Sequence, residues 1–283
     1  MDEIINNTTL VFISYRSKNK ISKYVEKVFE NFKIIVIENS DDKSIKSFIK
    51  NKNCDIYFVN NIGFASSINF ARKKIKTNYF IIMNPDILEI DITGVEKFYN
   101  IAKKLKDEFS CLGPRYTNIS SKTLKQSDNN KEIDTLKSIS GAMMFFNVKK
   151  FDLINGFDEN FFLYFEETDY AVRGRKIGLK SYQINTIKIK HEAGTSVEFK
   201  DDEEKNKIKE LYTWHFIWSK YYFYKKHYGL FISIIYFLPI LLRSLLKIIY
   251  YTVTFRKKEK KKYEIRINGL ISSMKGLKSF KRI

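Results

Sequence analysis

Asn78-Tyr79-Phe80-Ile81-Ile82-Met83-Asn84-Pro85-Asp86 is the stretch whose reading decides the fold. Its five central residues are continuously apolar, which fits a strand covered on both faces rather than one with a wet side. Proline after the run stops further pairing and fixes the turn. Working outward, Leu10–Tyr15, Lys33–Ile37 and Asp55–Val59 read as three earlier strands. Between them, Ile21, Tyr24, Val25, Val28 and Phe29, then Ile45, Phe48 and Ile49, then residues 65–75 show helical spacing. Strand, helix, strand, helix predicts an α/β fold with a parallel sheet and right-handed crossovers. Ligands bind such sheets at the carboxyl ends of the strands. Polar residues collect there: Glu38 to Asp42, Asn60 to Gly63, and Asn84 with Asp86. Any one cluster is ordinary turn chemistry, but three at successive strand ends are better support for a site. No GxGxxG or GxxxxGK[ST] follows a strand, which sets aside dinucleotide and P-loop sites.

Asn84-Pro85-Asp86 taken alone is better described as an Asx-type turn. The other reading is a carboxylate that holds Mg2+ or Mn2+ together with water and substrate phosphate. Downstream, residues 87–137 read as a helix over Val95–Leu105 and then a polar stretch, with 120–131 as a loop. Strand character returns over Ser138–Val148 and Ile184–Lys190. The latter strand ends at His191, which suits either a hydrogen-bonded turn residue or a second ligand for a cation at Asp86.

Gly156 to Arg173 holds five carboxylates, Asp158, Glu159, Glu166, Glu167 and Asp169, among Phe161, Phe162, Tyr164 and Phe165. Acids against an apolar wall gain basicity, because desolvation raises their pKa. An amphipathic turn and helix with a solvated acidic face would explain the same residues. If residues from 165 onward are helical, Glu166–Arg173 or Asp169–Arg173 can pair along one face, with Glu167 about 100° away.

The chain has 283 residues, 44% hydrophobic, with 3 prolines and 11 glycines, enough for a substantial core and unlike a disordered protein. Cys54 and Cys111 stand apart without CxxC spacing, which predicts no disulfide framework or zinc site and fits a reducing compartment. The first residues lack the basic start and apolar run of a signal peptide. The net charge of +19 favours an anionic partner. Residues 256–283 hold eleven basic and two acidic side chains, nearly half of that excess.

With these blocks in place, residues 8 to 200 resemble the inverting family 2 glycosyltransferases of GT-A fold, and most of all bacterial rhamnosyltransferase-like members that build cell-surface polysaccharide. Glu38-Asn39-Ser40 looks like the nucleotide-contacting block, Asn61-Ile62-Gly63-Phe64-Ala65 with Asn69 like the Asn-x-Gly-Phe segment, and Met83–Asp86 like a form of the DxD metal motif. Ser140-Gly141-Ala142, Gly156–Glu159, Phe161-Phe162, Glu166–Asp169, Arg173, His191 and Ser196 look like the acceptor and base region. Two departures stand out: Glu38 where the family has Asp, and Glu166-Glu167-Thr168-Asp169 where it has Glu-Asp-x-Asp.

The resemblance implies a GT-A domain, a Rossmann-like, mixed but mostly parallel sheet flanked by helices, over 1–205. Its nucleotide-sugar half covers about 1–90 and its acceptor half about 91–205. It implies donor contacts from Ser14, Tyr15, Glu38, Asn39, Asn61, Gly63, Asn69 and Asn84, and acceptor contacts from Gly141, Asp158, Phe162 and Tyr164. Asp86 and His191 would hold Mg2+ or Mn2+, Glu167 would be the base, and Glu166, Asp169 and Arg173 would share the catalytic region. The donor would be a nucleotide sugar, dTDP-rhamnose first and UDP- or GDP-sugars next. The acceptor would be a glycan or a polyprenyl-linked sugar.

Residues 206–283 change character. The longest uncharged run, Tyr228–Leu242, is short for a span of about 20 residues, so an interfacial, monotopic helix or hairpin fits better. With the basic tail this predicts an enzyme on the cytoplasmic face of the membrane, bound to an anionic surface. Packing on the catalytic domain or a homodimer interface would use the same apolar residues. Two other functions fit the composition: a catalytically inactive membrane-bound scaffold, and a nucleic-acid-binding protein. For the latter no RRM, KH or zinc pattern is present, so no nucleic acid is expected as partner.

Overall fold

The computed structural model describes residues 1–120, 126–129, 131–199 and 201–282. Of the loop expected over 120–131, residues 121–125 and 130 lie outside that set. The described residues divide into two compact units, one of Met1–Asp158 with Glu167–Glu198, the other of Glu159–Glu166 with Phe199–Ile283.

The first unit is built on one nine-stranded sheet. Its strands are β1 (Thr8–Ser14), β2 (Lys33–Glu38), β3 (Cys54–Phe58), β4 (Tyr79–Met83), β5 (Ile87–Leu88), β6 (Cys111–Tyr116), β7 (Ile133–Leu136), β8 (Met143–Asn147) and β9 (Ser181–His191). The order is β3-β2-β1-β4-β8-β6-β9-β5, with β7 paired to β9. β3, β2, β1 and β4 run parallel. β8 is antiparallel to both β4 and β6, and β6 and β9 are parallel. Because β1 has β2 on one side and β4 on the other, the connections change direction there. A crevice therefore opens beyond the carboxyl ends of β1 and β4.

Strand residues alternate between two apolar layers, as a pleat requires. Leu10, Phe12, Ile34, Val36, Ile81 and Phe145 face one layer. Val11, Ile35, Ile37, Phe80, Ile82 and Phe146 face the other. Both faces are covered, which is why the sequence shows unbroken apolar runs. Helices Phe64–Arg72 and Glu166–Lys176 bring Ala65, Ile68, Ala71 and Tyr170 to the second layer, while Ile92–Lys104 brings Val95 and Phe98 to the first.

Several elements differ from expectation. The helix expected around Ile21–Phe29 is a short one, Lys18–Lys23, continued by a π-type turn, Tyr24–Val28. The next is a single turn, Ile45–Phe48. The stretch expected to be irregular after 105 contains β6 and β7. β6 hides its character because Gly113-Pro114 sits in it; the ladder shifts register there, and a Cβ on Gly113 would meet Ile139 at 2.1 Å.

In the second unit one helix, Asp202–Val253, is the single helix among the described residues long and apolar enough to cross a membrane. It breaks at Gly229, whose φ of 84° ends the first segment and starts an antiparallel return. A further helix, Lys257–Met274, packs on both segments. It runs parallel to the first, since Trp214 donates to Asn268 at 2.7 Å and Ser273 donates to the Trp218 carbonyl at 2.9 Å. Gly269 lets the helices touch, as a Cβ there would lie 2.7 Å from the Trp214 carbonyl.

Candidate active site

At the carboxyl ends of β1 and β2, Ser14 and Glu38 are register partners. Glu38 is fully buried and both its oxygens are engaged. Ser14 Oγ donates to Oε2, while the Ser40 backbone N–H, at 2.7 Å, and the Ser40 hydroxyl donate to Oε1. A carboxylate needs this many donors to stay buried. Glu38 thus ties the two strand ends together. Asn39 Oδ1 accepts from the Ile62 N–H at 3.2 Å and the Ser67 hydroxyl at 3.1 Å. This draws the Asn61–Gly63 turn over the strand ends, with φ of 24° at Asn61 and 86° at Gly63. Gly63 caps the Phe64–Arg72 helix. Tyr15 lies beside the Arg16 guanidinium, 5.7 Å from its ring.

At the end of β4 the Asn84 N–H donates to the Ala142 carbonyl at 2.8 Å, which anchors the turn to the Gly141-Ala142 segment. The two-residue β5 pairs Ile87 with His191 of β9. That pairing brings His191 Nε2 to 3.2 Å from Asp86 Oδ1. Asp86 is 1% exposed, yet Oδ1 has no hydrogen-bond partner, and neither has His191 Nδ1. A buried carboxylate oxygen without a donor is costly unless a cation faces it. An acid oxygen and an imidazole nitrogen in contact but misaligned for a hydrogen bond suit two ligands of one hard cation. No group of three or more such side chains is present among the described residues, so phosphate and water would complete the shell. Tyr116 flanks the pair, its ring 5.8 Å from that of His191. Nothing in the sequence pointed to Tyr116, because it belongs to the strand masked by Gly-Pro.

The third part is the Gly156 turn and the helix after it. Asn69 Nδ2 donates to the Phe157 carbonyl at 2.8 Å, and the Phe157 N–H donates back to Oδ1 at 3.0 Å. Asn69 therefore holds the turn's backbone. Gly156 has φ of 56°, and a Cβ there would lie 2.7 Å from Asn69 Oδ1. Arg173 Nε binds Asp169 Oδ2 at 2.8 Å, and its two other nitrogens donate to the Ile154 and Gly156 carbonyls. Asp169 is fully buried, so the ion pair fixes turn to helix. Asp158 is half-buried, and a Cβ on Gly141 would meet the Phe64 ring at 3.7 Å. Glu166 is buried. Glu167 is half-buried, accepts from Thr168 Oγ1 at 3.2 Å, and has its carboxyl raised above the ordinary value by desolvation. This is the direction a general base needs.

Phe162 and Tyr164 belong to the second unit. Phe162 stacks on His215 with ring centroids 4.5 Å apart, and the Arg282 guanidinium lies 3.7 Å from the centre of the Phe162 ring. Burial pushes the His215 pKa down to about 4. Tyr164 packs edge-on to Phe216 at 5.6 Å and has φ of 71°. Both rings pack on partners within the second unit.

No family model matches the chain. The chain is 19% identical over 213 residues to the low-salt glycan biosynthesis hexosyltransferase Agl10 of Haloferax volcanii, covering 66% of this chain and 68% of that protein. Its fold resembles that of a crystal structure of GalNAc-T7 with UDP, GalNAc and Mn2+, with a TM-score of 0.55, 10% identity and coverage of 75% of this chain. The chain spans about half, 51%, of that protein's length. The mixed, mostly parallel sheet, its flanking helices and this likeness give the chain a glycosyltransferase-like fold of GT-A type, with a long apolar helix in its C-terminal part.

Proposed function

We propose that the protein is an inverting glycosyltransferase of the GT-A kind. It moves a sugar from a nucleotide diphosphate donor to a hydroxyl of a glycan or polyprenyl-linked acceptor in cell-surface polysaccharide synthesis. The observation that carries this is the pairing of buried Asp86 with half-buried His191 beyond β4, beside the Ser14–Glu38 strand ends. The likeness to a hexosyltransferase of glycan biosynthesis supports the same chemistry.

The nucleotide lies over the carboxyl ends of β1 and β2, against Tyr15, Asn39 and the Asn61–Gly63 turn. Glu38 shapes that floor through Ser14 and Ser40. Asp86 and His191 would hold a divalent cation, Mg2+ or Mn2+, which would supply charge stabilisation for the departing diphosphate. The neighbour solved with UDP and Mn2+ supports this donor and cofactor class. Glu167 takes the acceptor proton, a step worth about 10²–10⁴-fold in rate. Asp169 and Arg173 position the turn before it. The base and sugar remain dTDP-rhamnose by preference, with UDP- and GDP-sugars next. The enzyme works on the cytoplasmic face of the membrane, where a lipid-linked acceptor is presented.

The test is thermal stabilisation by dTDP-, UDP- and GDP-sugars with and without Mn2+ or Mg2+. A ligand at 100 times its Kd adds about 2.7 kcal/mol. A metal-dependent shift with one nucleotide is expected. No shift with any of them overturns the proposal and favours an inactive scaffold.

A further inference from the structure

The second segment of the long helix, residues 230–253, is apolar on its outward side as well as its inward one. Its inward stripe carries Phe237, Ile240 and Leu241, and with them two buried serines, Ser233 and Ser244. Their hydroxyls are absorbed by the helix itself, donating to the Gly229 and Ile240 carbonyls at 2.7 Å each. Its outward stripe carries large apolar side chains: Phe231, 77% exposed, then Ile235, Leu238, Leu246, 67% exposed, Ile249 and Val253. A surface helix in water turns a polar face outward instead. A contiguous apolar face of this extent marks a docking surface.

Charge identifies the occupant. Within 228–255 the charged residues are Arg243 and Lys247. Lys225 and Lys226 precede the segment, and Arg256, Lys257, Lys258, Lys260, Lys261 and Lys262 follow it, with Glu259 as the acid among them. A second copy seated on the same face would bring these cations against their own counterparts, whereas anionic headgroups would attract them.

Packing decides the orientation. At about 36 Å, the segment is long enough for a hydrocarbon core of about 30 Å. However, it is flanked along its length by the two other helices of its unit. Phe237 packs on Tyr221 at 5.2 Å, and Tyr251 on Tyr263 at 5.8 Å. The neighbours beside those contacts bear Lys220, Lys225, Lys260, Lys261, Lys262 and Glu264. A crossing would carry these charges into hydrocarbon, which is strongly disfavoured. Lying in the plane immerses the apolar stripe and leaves the flanking charges at the headgroups.

We infer that the outward stripe of residues 230–253 is an in-plane docking face for an anionic lipid bilayer, not a membrane span. This deepens the membrane placement proposed above and does not depend on the transfer chemistry.

The full chain is mixed with sealed vesicles of phosphatidylcholine alone, or of phosphatidylcholine with phosphatidylglycerol. It is expected to float with the anionic vesicles and to be weakened by salt. Lys257→Glu with Lys258→Glu and Lys260→Glu is expected to lower that binding by at least about tenfold. Leu246→Asp with Phe231→Asp is expected to abolish it. Nucleotide-induced thermal shifts of these variants should equal those of the parent, which separates this test from that of the transferase. Single cysteines at Lys225→Cys and Lys257→Cys are expected to react alike with an impermeant thiol reagent outside the vesicles, above the background of the parent's own cysteines. Equal, salt-insensitive binding to neutral vesicles, reaction of only one of the two cysteines, or no vesicle binding with a dimer that Leu246→Asp dissociates would each overturn the inference.

Discussion

Glu167 shows how a single side chain links burial, stability and rate. Desolvation raises its carboxyl from the ordinary value of 4.5. The native state therefore favours the protonated form. The stability it contributes is present below the unfolded pKa and is lost as pH rises through the raised one. Glu167→Gln keeps the neutral shape, so it is expected to raise Tm at neutral pH while transfer falls by about 10²–10⁴-fold and donor binding persists. Full activity in that variant would remove Glu167 from the base role. The wild-type rate should fall on the acid side at a pH above the usual carboxylate range. Asp86→Asn is expected to abolish the metal-dependent part of any nucleotide-induced Tm shift and to leave the metal-free part. Equal metal dependence in that variant would detach the cation from Asp86. Asp86 and His191 were legible as strand-end residues, and the resemblance set them at one cation; the pairing of β5 with β9 that brings them into contact was not legible, since it depends on two residues. The i, i+4 pairing of Asp169 with Arg173 was legible from helical spacing. Residue chemistry alone marked Asn69 and Glu38 only as polar, and the resemblance made them expected donor contacts. An amide or carboxylate at a strand end serves backbone and ligand equally well, and here both side chains hold backbone or a neighbouring strand.

Among the elements, β8 sets the shape of the sheet. It runs antiparallel between β4 and β6 and joins the parallel block to the second half. Its Phe145 is fully buried, stacked on Tyr79 at 5.2 Å and Phe98 at 5.5 Å, and tilted to Phe109 at 6.3 Å. Phe145→Ala is expected to cost about 3–5 kcal/mol, read as a lower denaturant midpoint. A loss within that of a surface substitution would mean that the ring is not the keystone of this layer. Strands buried on both faces announce themselves as apolar runs, so β1, β2, β4 and β8 were legible. β6 was not, because glycine and proline argue against a strand unless a bulge or a close neighbour admits them. β5 has two residues and no pattern. The one-turn helix after β2 and the π-type turn before it are products of packing rather than propensity.

At the scale of the whole molecule, the sequence suggested a break near residue 205 and one acidic–aromatic stretch devoted to chemistry. That stretch instead serves both units. Its aromatic half belongs with the C-terminal helices, and its carboxylates from Glu167 onward belong with the sheet. No local pattern could reveal this, since the partners of Phe161, Phe162 and Phe165 are Tyr222, His215, Phe216 and Phe223, far along the chain. A protein cut after Glu198 would leave those three rings bare, and it is expected to aggregate where the full chain does not. Sedimentation of the two at equal concentration checks this, and a monodisperse short form would show that the rings find other cover. The Phe162 sandwich also imposes an order of events during synthesis. One wall is His215 and the other is Arg282, so this ring emerges from the ribosome long before either side of its slot exists. The sheet can begin to assemble while the aromatic loop waits, which makes that loop the natural place for a chaperone to hold the nascent chain.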